Sequence, residues 1–426
     1  MKVLIIGSGG REHALAWKIV NDSRRPQVFC APGNAGTASL GTNLDIPATD
    51  VDALTAWAKS NRPELTVVGP EAPLCAGLVD RFRIEGLRVF GPTQAAARLE
   101  GSKDFAKEVM MAGRVPTAKA ATFTDAEKAR SYVRKEGAPI VVKADGLAAG
   151  KGVTVCTSVE QAEAAIDEAL VKKIFGDAGT KVVIEECLVG EEASILALID
   201  GRNIVMLASS QDHKRVFDND EGPNTGGMGA YSPAPVVKEN MWPVIRDQVV
   251  ARTLKELNRR GIKYQGVLYA GLMMTASGPK VLEFNCRFGD PETQAILPRW
   301  DGDILPALEA CVDGTLTPSM VRWRHEVCVC VVMAAGGYPG PYHSGDAIEG
   351  LEAAGKMKDV VVFHAGTKMS GGKVVTSGGR VLGVTALGKD LPAAVKTAYE
   401  AAAQIRFANA HCRHDIAGLA LRARND

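Results

Sequence analysis

Hydrophobic positions in the first hundred residues fall into short runs, which alternate with longer segments of mixed polarity. The runs have the length of buried strands and lie at 3–6, 28–30, 65–68 and 87–90. The segments between them have helical spacing and lie at 12–21, 51–60 and 78–85. Because alternating strands and helices are typical of a parallel sheet, the sequence predicts an N-terminal parallel α/β sheet domain over residues 1–102.

Two α+β units are predicted next, over residues 103–320. The first unit has helical segments at 103–112 and 125–135 and strand-like runs at 140–143 and 182–184. The second has strand-like runs near 194–199, 203–209, 267–274 and 280–285, with a long helical segment around 241–260. A glycine-rich loop at 144–152 separates the strands of the first unit, and a mobile lid is predicted over about 115–187.

The last hundred residues predict a C-terminal strand-rich α+β domain over 327–426. Its strand-like runs lie at 327–334 and 381–387, and a helical segment lies at 391–406. The predicted fold class is therefore multi-domain, with an α/β unit followed by α+β units.

The charges nearly cancel, with 50 Lys and Arg against 49 Asp and Glu, so no overall field attracts nucleic acid or an anionic membrane. No stretch reaches the ~20 apolar residues of a membrane span. The nine cysteines form no C-x-x-C pair, which fits a reducing compartment. We therefore predict a cytoplasmic protein with no nucleic-acid, membrane or obligate protein partner.

The most informative motif lies at the end of the run 280–285. Glu283 and Asn285 are two residues apart on a predicted strand and therefore share a face, which Arg287 also joins. A carboxylate beside an amide oxygen suits Mg²⁺, which also bridges nucleotide phosphates. A surface turn with ordinary charges is the alternative, and the dense polar run up to Gln294 disfavours it.

Glycine-rich turns are candidate phosphate sites. The turn after the first strand carries Gly9 and Gly10, but Glu12 occupies the third glycine position of a dinucleotide fingerprint, which disfavours a nicotinamide dehydrogenase. A turn without ligand remains the alternative there. The later loop includes Gly150, Lys151 and Gly152 without Walker spacing, and it is either a phosphate cover or a solvated hairpin.

Four acids follow the run 182–184, at 185, 186, 191 and 192. A strand that passes into a linker offers backbone groups to an adenine edge, and a nearby carboxylate accepts from ribose hydroxyls. A solvated charged rim is the alternative.

Taken together, these features resemble the ATP-grasp superfamily. Its marks here are Lys103, Lys143, the glycine loop, Glu192 and the Glu283-x-Asn285 pair. Four longer runs resemble the phosphoribosylamine–glycine ligases, also called glycinamide ribonucleotide synthetases. These runs lie at 7–14, 211–215, 222–230 and 287–294.

The resemblance implies ATP-dependent ligation of glycine to 5-phosphoribosylamine through a glycyl phosphate, in purine biosynthesis. It places Mg²⁺, or Mn²⁺ in its place, on Glu283 and Asn285. It assigns ATP to the lysines, the loop and the hinge, namely Lys103, Lys143, Gly150, Lys151, Gly152, Glu185, Glu186, Leu188 and Glu192. No acid lies in 269–274 to complete a second metal site.

Substrate residues are expected in both halves of the chain. The candidates for substrate binding are Gly9, Gly10, Gly33, Asn34, Glu71, Asn224, Arg287 and Asp290. Arg287, Asp212 and Lys214 are the candidates for catalysis. For His13 and His213, a structural hydrogen bond and an acid/base role are equally open.

Two other functions compete with this interpretation. A carboxylase that acts on biotin or a ribonucleotide would share the ATP residues, but we do not expect it to carry the run at 287–294, and the chain has no Met-Lys-Met biotinylation site. A non-catalytic nucleotide sensor would be expected to lose the metal pair or the lysines, and all four residues are present.

Overall fold

The computed structural model describes residues 1–148 and 152–422. Its first sheet is parallel in the order β3-β2-β1-β4-β5, which confirms the predicted α/β fold. The strands are β1 (Lys2–Gly7), β2 (Gln27–Pro32), β3 (Thr42–Asn43), β4 (Leu65–Val68) and β5 (Val89–Phe90). The helices are α1 (Gly10–Val20), α2 (Thr37–Leu40), α3 (Val51–Asn61), α4 (Glu71–Cys75), α5 (Leu78–Ile84) and α6 (Gln94–Gly101).

An antiparallel sheet in the order β6-β9-β7-β8 forms the next unit. Its elements are α7 (Lys103–Ala112), β6 (Ala120–Phe123), α8 (Ala126–Glu136), β7 (Ile140–Ala144), β8 (Val153–Cys156), α9 (Val159–Ile166) and β9 (Val182–Glu186). The sequence pattern missed β8 and α9, which lie between the two predicted strands. A hydrophobic core within residues 123–184 holds this unit together.

The third unit contains the strand that carries the metal motif. Its central sheet has the order β11-β10-β16-β17. The elements are β10 (Glu191–Ile199), β11 (Ile204–Met206), β12 (Gln211–Asp212), β13 (Arg215–Phe217), β14 (Glu221–Asn224), β15 (Gly229–Ser232), α10 (Trp242–Val244), α11 (Arg252–Arg259), β16 (Gly266–Thr275), β17 (Gly278–Asn285), α12 (Glu292–Ile296), β18 (Trp300–Asp301), α13 (Leu305–Asp313) and β19 (Arg322–Trp323). A π-helical stretch, Ile245–Ala251, links α10 to α11 within the predicted long helix.

The last sheet crosses the predicted domain boundary. It has the order β12-β15-β20-β24-β21, so β15, which also pairs with β12, joins the strands of the C-terminal segment 327–422, called the tail below. The remaining elements are β20 (Val327–Ala334), α14 (Leu351–Gly355), β21 (Val360–His364), β22 (Thr367–Ser370), β23 (Lys373–Thr376), β24 (Arg380–Gly388), α15 (Leu391–Ala402) and α16 (Gly418–Arg422). The pairing fixes the tail against the segment that carries Asp212.

The first and third units also share hydrophobic cores. One of these cores includes Leu4 and Ile6 of β1 together with Leu268 of β16 and Val281 of β17, all buried. Apolar burial of this kind is the main stabilising term in folding. None of the described helices is both long and apolar enough to cross a membrane.

Two histidines, His13 and His213, are buried, and His364 beside His13 is half-buried. The His364 amide donates to His13 Nδ1 at 2.7 Å, and the Ala417 amide donates to His213 Nε2 at 3.1 Å, so both acceptor nitrogens must be unprotonated. Burial, reinforced by His364, lowers the pKa of His13 to about 3. Burial also lowers the pKa of His213 and of His364 to about 4. These contacts favour structural roles for His13 and His213.

We expect acid to destabilise the fold through these rings. Their pKa values lie below the ordinary 6.5, so the unfolded chain takes up protons first and stability falls as the pH drops from about 6.5 towards 4. Each ring contributes a slope of about 1.4 kcal/mol per pH unit in this window. Urea unfolding of His13→Gln at several pH values should show the slope reduced by about that amount, since its ring no longer titrates.

The exposed His343 provides the matched control. His343→Gln should unfold with the wild-type pH dependence. A slope for His13→Gln equal to that of wild type would show that the His13 ring does not oppose protonation in the folded state.

Candidate active site

A cavity of about 890 Å³ is lined by residues of all three units and of the tail. It brings together fifteen of the residues predicted from sequence: Glu71, Lys103, Lys143, Gly152, Glu185, Glu186, Leu188, Glu192, Asp212, Lys214, Asn224, Glu283, Asn285, Arg287 and Asp290. Gly150 and Lys151 lie outside the described residues. The convergence of residues from distant parts of the chain makes this cavity the candidate active site.

Two lysines predicted to contact phosphates line the cavity. Lys143, on β7, pairs with Glu185 at 3.0 Å and donates to the Leu282 carbonyl oxygen at 3.0 Å. Lys103, at the start of α7, donates to the Gly146 carbonyl oxygen at 3.1 Å. Burial lowers the pKa of Lys103, which an anionic ligand would counteract.

A third lysine was missed by the sequence analysis. Lys107 lies one helical turn after Lys103 and pairs with Glu185 at 3.2 Å. Burial lowers its pKa to about 8. The i,i+4 spacing from Lys103 was a usable signal, because residues so spaced share a helix face.

The hinge acids are engaged in different ways. The buried carboxylate of Glu185 lies between two lysines, whereas Glu186 forms a more exposed ion pair with Lys280 at 3.0 Å. Glu192 accepts from Lys214 at 2.9 Å. The side chain of Glu185 therefore positions two lysines.

The predicted metal pair lies on one side of β17. Glu283 Oε1 is 3.6 Å from Lys214 Nζ, and Lys214 lowers the pKa of the Glu283 carboxyl. Opposite Glu283 in the ladder stands Gly271, so β16 offers no carboxylate at that position. The described residues contain no cluster of three or more His, Cys, Asp or Glu arranged for a metal. A carboxylate and an amide oxygen beside phosphate lysines fit a Mg²⁺ ion that keeps water and phosphate ligands.

Asp212 and Lys214 line the same cavity. Burial, with Glu292 nearby, raises the pKa of Asp212 well above its usual value. Its Oδ1 is buried and has no hydrogen-bond partner among the described residues. Burial opposes the charge of Lys214, but Glu192 and Glu283 outweigh it and raise the Lys214 pKa.

A buried hydrogen-bonded group is centred on the carboxylate of Glu292. The Tyr269 hydroxyl and the Ser194 hydroxyl donate to Glu292 Oε1 at 2.9 Å and 3.0 Å. Glu292 belongs to the run at 287–294, but its burial and its partners were not apparent from sequence. The group fixes a negative charge close to Asp212.

Arg287 lies two residues after the end of β17 and lines the same cavity as Glu283 and Asn285. It pairs with Glu71 at 3.3 Å and with Glu100 at 2.8 Å. Burial opposes its charge, but Glu100 and Glu71 outweigh it and raise its pKa. The predicted role as an anion partner therefore applies to a guanidinium that already has two carboxylate partners.

A second cavity of about 350 Å³ adjoins the first, with Asp290, Tyr338 and Arg380 common to both. It contains Gly9, Gly33 and Asn34 from the first unit, and Thr367, Ser377 and Gly378 from the tail. Gly10 lines neither cavity, because it packs on Gln294.

The Asn34 side chain is already hydrogen-bonded within the protein. It donates to the Ser8 and His364 carbonyl oxygens, both at 2.8 Å, and accepts from the Gly36 amide at 2.8 Å. Asn34 therefore shapes the loop. The tail residues of this cavity were missed, because no local motif marks them.

Antiparallel α+β units that enclose lysines, hinge acids and a Glu-x-Asn strand define an ATP-grasp protein. Family models described as phosphoribosylglycinamide synthetase match the N domain at residues 1–100, the ATP-grasp (A) domain at 101–293 and the C domain at 328–418. The chain belongs to the phosphoribosylglycinamide synthetase family.

Similar proteins agree over nearly the full length. Phosphoribosylamine–glycine ligase of Yersinia pestis is 53% identical, with 98% of each chain covered. That of Vibrio cholerae is 52% identical, with 98% of this chain and 97% of the relative covered. The crystal structure of the Thermotoga maritima ligase superimposes with a TM-score of 0.85 at 35% identity, covering 98% of this chain and 100% of that one.

The biotin carboxylase domain of the Hydrogenobacter thermophilus 2-oxoglutarate carboxylase has a TM-score of 0.70 at 17% identity. The alignment covers 96% of this chain and 91% of that one. This likeness is one of fold alone.

We expect Glu185→Gln to lower the free energy of unfolding by about 3 kcal/mol, because it leaves Lys107 and Lys143 buried without a counter-charge. Urea unfolding measures this. Glu186→Gln, which removes a more exposed ion pair with Lys280, should cost less than about 1 kcal/mol. Equal costs for the two variants would refute the structural role of Glu185.

Proposed function

We propose that this chain ligates glycine to 5-phosphoribosylamine at the expense of ATP, giving glycinamide ribonucleotide, ADP and phosphate in purine biosynthesis. The observation that carries the proposal is the pair of adjoining cavities. One holds the phosphate lysines, the Glu283–Asn285 pair and Asp212, and the other joins the glycine turns of the first unit to the tail. Two substrates can therefore meet at the shared residues.

ATP occupies the larger cavity in this proposal. Lys103 and Lys143 hold its phosphates, the loop that includes 150–152 covers them, and Glu192 accepts from the ribose. The adenine lies against the hinge at Glu185, Glu186 and Leu188. Glu283 and Asn285 would hold Mg²⁺ or Mn²⁺, which would supply positive charge next to the transferred phosphoryl group.

Glycine binds beside Asp212 and Lys214. The carboxylate of Asp212, which lines this cavity, suits the glycine ammonium, which would stabilise its ionised form. Lys214 Nζ lies near Glu283 and so reaches the place where the glycine carboxylate meets the γ-phosphoryl group. Asn224, which lines the same cavity, closes this side.

Phosphoribosylamine occupies the smaller cavity. Backbone groups of Gly9 and Gly33 and the cation of Arg380 favour its phosphate, and Asp290 lies where the amine would enter the larger cavity. Glu71 and Arg287 border the larger cavity near this entry.

The chemistry needs positioning more than a nucleophilic side chain. The glycine carboxylate oxygen takes the γ-phosphoryl group of ATP and releases ADP. The amine nitrogen then attacks the acyl carbon, phosphate leaves with the bonding electron pair, and the nitrogen loses a proton. Asp290 lines both cavities and is therefore the carboxylate that we propose orients this amine.

The thiols support a reducing compartment. All nine cysteines lie in the described part of the chain and are free, and most are buried. Free buried thiols are typical of a protein that acts in the cytoplasm, as we propose.

We expect full ADP release only when glycine and phosphoribosylamine are both present, because the acyl phosphate must be captured to complete turnover. A coupled ADP assay with each substrate alone, and with both, measures this. Equal turnover with bicarbonate in place of glycine would favour a carboxylase and overturn the proposal.

Glu283→Gln should lower turnover by at least ~100-fold, because loss of a charged metal ligand removes several kcal/mol of transition-state stabilisation. Steady-state rates at saturating Mg²⁺ measure the effect. Glu309→Gln, which changes a surface partner of Arg24, is the control and should keep wild-type rates. Near-normal turnover of Glu283→Gln would exclude Glu283 as a ligand.

A further inference from the structure

We propose that Glu100 is a positioning residue, which turns the amide of Asn285 so that its oxygen faces the metal. The inference rests on the proposed function, since it takes Glu283 and Asn285 as the metal ligands. Glu100 lies near the end of α6, far in sequence from β17, and carries no recognisable motif.

The contacts of Glu100 are concentrated on three consecutive residues. Its Oε2 accepts from the Cys286 amide at 2.7 Å, and its Oε1 pairs with Arg287 Nη2 at 2.8 Å. The orientation of the Asn285 amide that satisfies its neighbours places Nδ2 3.1 Å from Glu100 Oε1 and 3.3 Å from the Phe284 carbonyl oxygen. One buried carboxylate thus holds residues 285–287.

The orientation matters because an amide has two unlike ends. The oxygen can coordinate a cation, whereas the NH₂ group is a donor and cannot. A carboxylate partner accepts only, so Glu100 holds the nitrogen and turns the oxygen the other way. The Glu283 carboxylate has two equivalent oxygens and needs no such partner.

Glu100 also links β17 to Lys103. It lies three residues before Lys103, and Ser102 between them caps α7 by accepting from the Phe105 amide at 3.1 Å. A shift of Glu100 would therefore displace both the metal ligand and the start of α7. Partners that orient metal ligands are worth about 10- to 100-fold in metal affinity.

Glu100→Gln tests the idea, because glutamine keeps the size but adds a donor. We expect Mn²⁺ binding in the presence of ADP, measured by electron paramagnetic resonance of free Mn²⁺, to weaken at least ~10-fold. ADP binding without metal, measured by calorimetry in EDTA, should stay within about twofold. Glu108→Gln, at a surface partner of Arg260, is the matched control and should bind Mn²⁺ as wild type does.

The double variant Glu100→Gln/Asn285→Asp supplies a rescue. The introduced glutamine can donate to one oxygen of the introduced aspartate and leave the other for the metal, so the hydrogen bond is restored with its polarity reversed. Asn285→Asp alone places two carboxylates side by side and should bind Mn²⁺ more weakly than the double variant does. A simple loss of folding would give additive effects and no such recovery.

The outcomes separate the inference from the function it rests on. Wild-type Mn²⁺ affinity in Glu100→Gln, or additive losses in the double variant, would overturn the role of Glu100. Unchanged Mn²⁺ affinity in Glu283→Gln would overturn the metal site itself. Weak Mn²⁺ binding in Glu283→Gln together with normal Mn²⁺ binding in Glu100→Gln would support the metal site and refute only the positioning role of Glu100.

Discussion

The guanidinium of Arg287 lies between the carboxylates of Glu71 and Glu100, which belong to helices α4 and α6 of the first unit. Arg287 itself closely follows β17 of the third unit. Removing one partner from a buried ion pair costs about 3–5 kcal/mol, because an uncompensated charge is left behind. This network therefore fixes the end of β17 against the first unit. The relative placement of ATP and phosphoribosylamine in the proposed function depends on it.

Charges inside the larger cavity are paired before any ligand arrives. Glu185 is shared by Lys107 and Lys143, and Lys214 is shared by Glu192 and Glu283. Such pairing holds long lysine side chains in one geometry, so phosphate binding as proposed would need little reorganisation.

The sequence predicted the features that depend on residues close together along the chain. The alternation along 280–285 placed Glu283 and Asn285 together, and β17 has that geometry. Glu100 and Arg380 gave no signal, because their roles come from contacts with residues that are distant in the sequence. The short strands β12 and β15 likewise could not reveal that β15 pairs with β20, since strand pairing depends on the tertiary fold.

The ion pair between Asp290 and Arg380 lines both cavities. Asp290 Oδ1 is 3.3 Å from Arg380 Nη2 and accepts from Gln294 Nε2 at 2.8 Å, while Arg380 donates to the Asp290 carbonyl oxygen at 2.8 Å. Asp290 follows β17, and Arg380 begins β24 of the tail. If the ribosyl phosphate binds at Arg380 as proposed, it acts on the carboxylate that is proposed to orient the amine. In the proposed function, binding of the ribosyl phosphate and placement of the attacking nitrogen are therefore coupled through the Asp290–Arg380 pair.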